Sequence, residues 1–281
     1  VYKRQGGLTV ELEADGTVSP DRLAAVLDAD DQPVSVVSIM AINNETGVVN
    51  DIPALVEVTR RHAPGAWFHT DAVQALGWID LAAHVEGADL ISITGHKFGG
   101  PVGTGALFVR HGVELDAQIL GGGQERGRRA GTPDVAGAAA FAAAATATVA
   151  ARDTDVVRLG ALRDRLVVGL RGRLGEVVAP TVLDGGAPVA AGIAHVVLAD
   201  VEAEALLFLL DAAGLRASAA SSCSSGAQDP SHVLAAMGVD RIVAQGSLRL
   251  SLGHTTTEAD IEAALECIPP AVERLRAHGG G

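Results

Sequence analysis

One lysine stands where it could do covalent chemistry. In Ser92-Ile93-Thr94-Gly95-His96-Lys97-Phe98-Gly99-Gly100-Pro101, Lys97 follows an apolar run and is set among glycines, which let backbone approach a bound group closely. An amine so placed can form a Schiff base with a carbonyl compound. The hydroxyl of Thr94 and the imidazole of His96, just before it, suit a phosphate ester. Taken alone, the segment is equally consistent with a strand-ending turn that carries a surface lysine. A second segment, Phe68-His69-Thr70-Asp71-Ala72-Val73-Gln74, puts a carboxylate at the end of another apolar run. Such a carboxylate can keep a pyridinium nitrogen protonated and make the ring an electron sink, although an isolated strand-end Asp also serves as a helix N-cap. Gln74 lies about one helical turn beyond, where its amide could reach a phenolic oxygen of the same ring.

The third reactive group is Cys223, in a Ser/Gly-rich loop from Ala217 to Asp229 that reads as mobile. A thiolate on such a loop can attack a substrate sulfur and then carry it away. Cys267, on the terminal helix, is expected to be a small buried residue.

Positioning these groups requires strands that end near one another. Apolar runs at Val34 to Ile42, Trp67 to His69, Leu90 to Thr94 and Ala106 to Val109 alternate with helical patterns, including Ile52 to about His62. This rhythm predicts an α/β sheet covered by helices. Ligands of such sheets gather at the carboxyl ends of strands, where Asn43-Asn44-Glu45, Asp71 and Gly95-His96-Lys97 would fall. A long helix is expected from Val135 to Leu174. Its alanine-rich part, Ala136 to Ala151, is shorter than the ~20 strongly apolar residues of a spanning helix and is read as soluble. Beyond it, an apolar run at Ile193 to Leu198, a helix from Glu202 to Ala213, a run at Ser247 to Leu252 and a terminal helix suggest a second, α+β unit. A boundary near Arg152 gives domains 1–152 and 153–281.

Composition narrows the function classes. The 281 residues are 48% hydrophobic, enough for buried cores, and 34 acidic against 21 basic residues give a net charge of −13. That field repels nucleic acid and anionic membrane surfaces. Two cysteines in no CxxC or Cys/His spacing argue against a disulfide framework or a metal site and suit a reducing cytoplasm. The start, Val1 to Gly7, leads into no signal-peptide core and has no initiator methionine, so residues 1–5 are not assumed native. A nucleotide-binding protein is a further reading, but neither GxxxxGK[ST] nor a well-placed GxGxxG is present.

Five motifs occur in an order that resembles the cysteine desulfurases of the loop-cysteine type (iron–sulfur cluster and nitrogen fixation) in the class-V aminotransferase superfamily. They are Asn43-Asn44-Glu45-Thr46-Gly47, His69 to Gln74, Thr94 to Lys97, the glycine- and arginine-rich run Gly121 to Pro133, and Ser221-Ser222-Cys223-Ser224-Ser225-Gly226. The resemblance covers nearly all of the chain after Gly6. It implies a fold-type-I transferase dependent on pyridoxal 5'-phosphate (PLP): part of a large α/β domain with a mostly parallel sheet, plus a smaller C-terminal α+β domain. It also implies a cytoplasmic homodimer.

The same resemblance implies that Lys97 holds the cofactor and Asp71 pairs with its ring nitrogen. Gln74 would bind the ring oxygen, Thr94 and His96 the phosphate, and Thr132 the phosphate of the other subunit. Asn44 would touch cofactor and substrate, and Arg249 would grip the substrate carboxylate, a task that suits a planar guanidinium. Without that resemblance, Arg249 reads as an edge-strand surface charge. L-Cysteine would be converted to L-alanine, Lys97 moving the Cα proton and Cys223 thiolate taking the sulfur as a persulfide. An acceptor or scaffold protein would receive it for iron–sulfur clusters, thio-cofactors or tRNA thiolation, and Cys223 could transiently ligate a cluster.

Alternatives at this point are another fold-type-I PLP enzyme (a selenocysteine lyase or an aminotransferase), or an inactive relative acting as a binding partner in sulfur trafficking. The family carries, ahead of the point where this chain begins, a Gly/Thr-rich phosphate loop and a histidine stacked on the cofactor. The chain is therefore expected to be an N-terminally truncated form of it.

Overall fold

Two four-stranded sheets organise the chain, each in its own unit. The computed structural model describes residues 7–29, 32–179, 184–219 and 231–279. In chain order the first elements are α1 (Pro20–Asp28), β1 (Val36–Met40), α2 (Ile52–His62), β2 (Trp67–Asp71), α3 (Leu81–His84), β3 (Leu90–Thr94) and β4 (Gly105–Val109). Then come α4 (Val135–Leu174), β5 (Val178–Ala179), β6 (Ile193–Leu198), α5 (Ala203–Ala212), β7 (Ser218–Ala219), α6 (His232–Ala236), α7 (Arg241–Ala244), β8 (Ser247–Ser251) and α8 (Glu258–Gly279). One unit comprises residues 30–41 and 51–152; the other comprises residues 1–29, 42–50 and 153–281.

In the first, mixed-sheet unit the strand order is β1-β2-β3-β4, with β1, β2 and β3 parallel and β4 antiparallel to β3. Alternation in β1 buries Val37 and Ile39 and leaves Val36 and Met40 outward. Helix α2 begins where the Asp51 side chain accepts from Ala54 N at 3.1 Å, with Pro53 in its first turn. Arg60, Arg61 and His62 close it at the end where positive charge suits the helix dipole. Ile52, Leu55, Val56 and Thr59 fall at helical spacing and are buried, and α2 packs on β2, whose Phe68 is fully enclosed.

A buried carboxylate locks this sheet at the starts of its strands. Asp89, 3% exposed, accepts from Phe68 N at 2.7 Å and pairs with Arg60 at 2.5 Å. The same guanidinium donates to the carbonyls of Ala66 (2.9 Å) and Gly87 (3.3 Å). A buried charge survives when its lone pairs are satisfied in this way. The start of β2 and the residue before β3 are thus fixed together, which sets where the two strands end.

The second, antiparallel unit has the order β5-β6-β8-β7. Every residue of β6 is buried, and β8 runs between β6 and β7. Val197, Leu234 and Ala244 form a core cluster joined by Met237, Val239 and Val243.

Helix α4 occupies the predicted span. By length and composition it could cross a membrane, with mean hydropathy 1.4 over its most apolar stretch, none of which is buried. Cys267 on α8 is half-buried rather than enclosed, a correction to the expected buried position.

Candidate active site

Within the mixed-sheet unit the parallel strands deliver their carboxyl ends to one edge. Asp71 closes β2, opposite Ser92 of β3 and Met40 of β1 in register. Lys97 follows in a 3-10 turn, Gly95–Lys97, directly after β3. The segment after Asp71, carrying Gln74, is a run of tight turns rather than a helix, with Ala75 N donating to Ala72 O at 2.9 Å.

The Asp71 carboxylate is half engaged: Oδ1 accepts from Val73 N at 3.0 Å, and Oδ2 has no partner among the described residues. Beneath it, His69 ties three strands together. Its Nδ1 lies 2.8 Å from Ser38 Oγ on β1, and its Nε2 lies 2.8 Å from Ser92 Oγ on β3. Burial, the larger influence, pulls the His69 pKa below its ordinary value, and the Asp71 charge opposes it. The imidazole thus favours the neutral form that can donate at one nitrogen and accept at the other.

The lysine turn is held from both sides. Thr94 Oγ1 donates to the Thr104 carbonyl at 3.1 Å, so the proton in its 3.0 Å contact with His96 belongs to Nδ1 of the imidazole. Gly95 is the position where a side chain has no room: a Cβ there would collide with Thr104 Oγ1 and lie 3.0 Å from the Pro101 carbonyl. Behind the turn, Thr148 of α4 donates to Phe98 O at 3.1 Å, and Phe141 meets the Phe98 ring edge-on at 5.2 Å. Lys97 itself is exposed and makes no ion pair among the described residues. Thr132 lies exposed in the loop before α4.

The antiparallel unit holds the other two predicted residues. The Asn43 side chain folds the turn after β1 by accepting from Glu45 N and Thr46 N, both at 2.9 Å. Gly47 completes the turn at φ +80° against Ile193 and Val189. Arg249 Nη1 donates to the main-chain carbonyl of Asn44 at 2.7 Å, which brings those two residues together. Ser231 caps α6 and donates to the buried Glu45 carboxylate. Burial raises the Glu45 pKa, offset in part by that hydroxyl and by the charges of His232 and Arg249. Cys223 lies outside the described residues.

Two residues not assigned a role by sequence reasoning support predicted ones, His69 in the mixed-sheet unit and Glu45 in the antiparallel unit, although both stand inside quoted motifs. A third is His195, buried in β6 opposite Arg249. A histidine interrupting the apolar run Ile193 to Leu198 was its only signal.

The donor set fits a phosphorylated pyridine aldehyde. An amine for the aldehyde and a carboxylate with one free oxygen for a ring nitrogen are carried at adjacent strand ends, and Thr94 and His96 stand beside the amine, where a phosphate would draw the Thr94 proton away from the Thr104 carbonyl.

Comparisons with known proteins point the same way. The family model for aminotransferase class-V matches residues 2–264. The chain is 46% identical over 264 residues to an IscS-like cysteine desulfurase of Mycobacterium tuberculosis, covering 94% of this chain and 66% of that protein. It is 41% identical over 278 residues to a cysteine desulfurase of Cereibacter sphaeroides, covering 98% and 69%. Among solved structures, a NifS-like protein from Rickettsia africae superposes with a TM-score of 0.84 at 29% identity, covering 94% of this chain and 69% of that one. The chain therefore spans about two thirds of the length of these relatives.

Proposed function

Since the chain belongs to the class-V aminotransferase family, among its cysteine desulfurases, we propose that it releases sulfur from L-cysteine with the help of PLP. The observation that carries this reading is the pairing of Asp71 and Lys97 at the ends of neighbouring parallel strands, with Thr94 and His96 beside the lysine.

In this reading Lys97 would hold the cofactor, with Asp71 for its ring nitrogen, Gln74 for its ring oxygen, and Thr94 and His96 for its phosphate. When bound, PLP stabilises the electron pair left at the substrate's Cα. Lys97, when its amine is free, would take the proton from Cα. Arg249, held by the Asn44 carbonyl, binds the substrate carboxylate, and Asn44 faces the substrate. Cys223 thiolate attacks Sγ, an S–S bond forms as the Cβ–S bond breaks, and the proton of the substrate thiol is balanced by one gained at Cβ. The products are L-alanine and a Cys223 persulfide, with no external oxidant or reductant.

The persulfide passes to a protein thiol or an iron–sulfur scaffold. The enzyme works in the cytoplasm as a homodimer, with Thr132 of each copy serving the phosphate of the other. The test is alanine and sulfide formation from L-cysteine with added PLP and a thiol reductant. Product should form with the parent chain. Lys97→Ala should also lose the visible absorbance of lysine-bound cofactor, whereas Cys223→Ala should keep that absorbance and release no sulfide. Sulfide release by Cys223→Ala at the parent rate would refute the assignment.

A further inference from the structure

His195 and Arg249 are direct partners across the β6/β8 pairing, so their side chains leave the same face of the sheet. His195 is 1% exposed, and its Nε2 lies 2.9 Å from Ser247 Oγ, on the same face of β8. Two buried atoms in this pair have no hydrogen-bond partner among the described residues: His195 Nδ1 and Arg249 Nε. A guanidinium Nε can only donate, whereas an imidazole nitrogen without its proton can only accept. If Ser247 donated to Nε2, Nδ1 would carry the proton and two buried donors on the same face of the sheet would both lack an acceptor. The opposite tautomer, Nε2–H donating to Ser247, turns Nδ1 into the one missing acceptor.

We propose that His195 is a positioning residue for Arg249: Nδ1 of the neutral Nε2–H tautomer accepts the Arg249 Nε–H, with at most one enclosed water between them. The guanidinium is then held at two points, Nε by His195 and Nη1 by the Asn44 carbonyl. Its remaining N–H groups lie on Nη1 and Nη2. That leaves the end-on fork for a carboxylate and removes the side-on approach through Nε. Burial and the adjacent guanidinium charge both keep the imidazole unprotonated, as an acceptor requires. The contact stands on this geometry; its consequence for substrate rests on the reading of Arg249 proposed above.

Nitrogen-15 spectra of histidine- and arginine-labelled protein test the contact without any cofactor. His195 should show a protonated Nε2 and a bare Nδ1 from pH 5.5 to 8.5. The Arg249 Nε–H should exchange slowly in the parent and in His195→Asn, and fast in His195→Leu. A protonated Nδ1, or an Arg249 Nε–H unchanged in His195→Leu, overturns the proposal; should that variant not fold, the tautomer in the parent decides. With PLP and L-cysteine, His195→Leu should raise KM about tenfold, the size expected for one lost partner of a charged group, and leave kcat within about threefold. His195→Asn should restore KM. A fall in kcat at unchanged KM overturns the positioning role. An Arg249→Leu variant with parental KM would instead refute the carboxylate reading of Arg249, leaving the spectra to judge the contact.

Discussion

Acid should weaken this protein in good part through His195, the group whose pKa burial lowers furthest. Burial first, and the Arg249 charge second, lower its pKa from the ordinary 6.5 to about 4. In the unfolded chain the imidazole takes a proton near pH 6.5; in the folded protein it resists until about pH 4. Between those values the unfolded state binds more protons, so stability rises with pH there. The contribution is complete above pH 6.5 and drains away as the pH falls from 6.5 to 4. At about 1.4 kcal/mol per pH unit, that interval corresponds to about 3 kcal/mol. The perturbation is His195→Asn, which keeps a polar group in the strand but does not titrate. Urea unfolding followed by far-UV circular dichroism at pH 7 and pH 4 gives the two stabilities. Dichroism is preferred because both tryptophans, Trp67 and Trp78, lie in the other unit. The parent should lose about 3 kcal/mol more than the variant over this range. Equal losses would mean that His195 is not held neutral, and the reasoning from its burial would fail.

Other outcomes follow from single contacts. Asp89→Ala leaves the buried Phe68 N without its acceptor and Arg60 with only the Ala66 and Gly87 carbonyls, and should cost about 1–3 kcal/mol, read by tryptophan fluorescence in urea. Gly95→Ala forces a Cβ against Thr104 and the Pro101 carbonyl. It should lower stability by about 1–3 kcal/mol and speed the loss of PLP on dialysis, because the turn that presents Lys97 must shift. Ser231→Ala removes the cap of α6 and should cost about 0.5–2 kcal/mol by urea unfolding.

The elements that carry the site were legible where local physics decides them. Asp51 and Pro53 announce α2, and the apolar run before Gly95 announces β3 and its turn. The alanines and leucines of α4 leave little else for Val135–Leu174 to become. The antiparallel direction of β4 was not readable, since alternation of residue type is the same in either direction. Asp71, Thr94, His96 and Lys97 could be grouped because each ends or closely follows a strand. The Asn44–Arg249 contact could not be read from spacing, because it joins residues 205 positions apart. The links from Asp89 to Arg60, Glu45 to Ser231 and His195 to Ser247 depend likewise on tertiary packing. A polar residue in an apolar run marks such a position without naming its partner.

Arg249 grips the main chain of Asn44, not its side chain. Every amino acid offers that carbonyl, so the anchor of the guanidinium is indifferent to what residue 44 is. The side chain at 44 is free to vary without unseating the arginine, provided the Asn43 turn is kept. In the proposed reading, the contact of residue 44 with the substrate and the grip of Arg249 on the carboxylate can then drift independently. An engineer could diversify position 44 to admit other amino-acid substrates while holding positions 43, 195 and 249 constant.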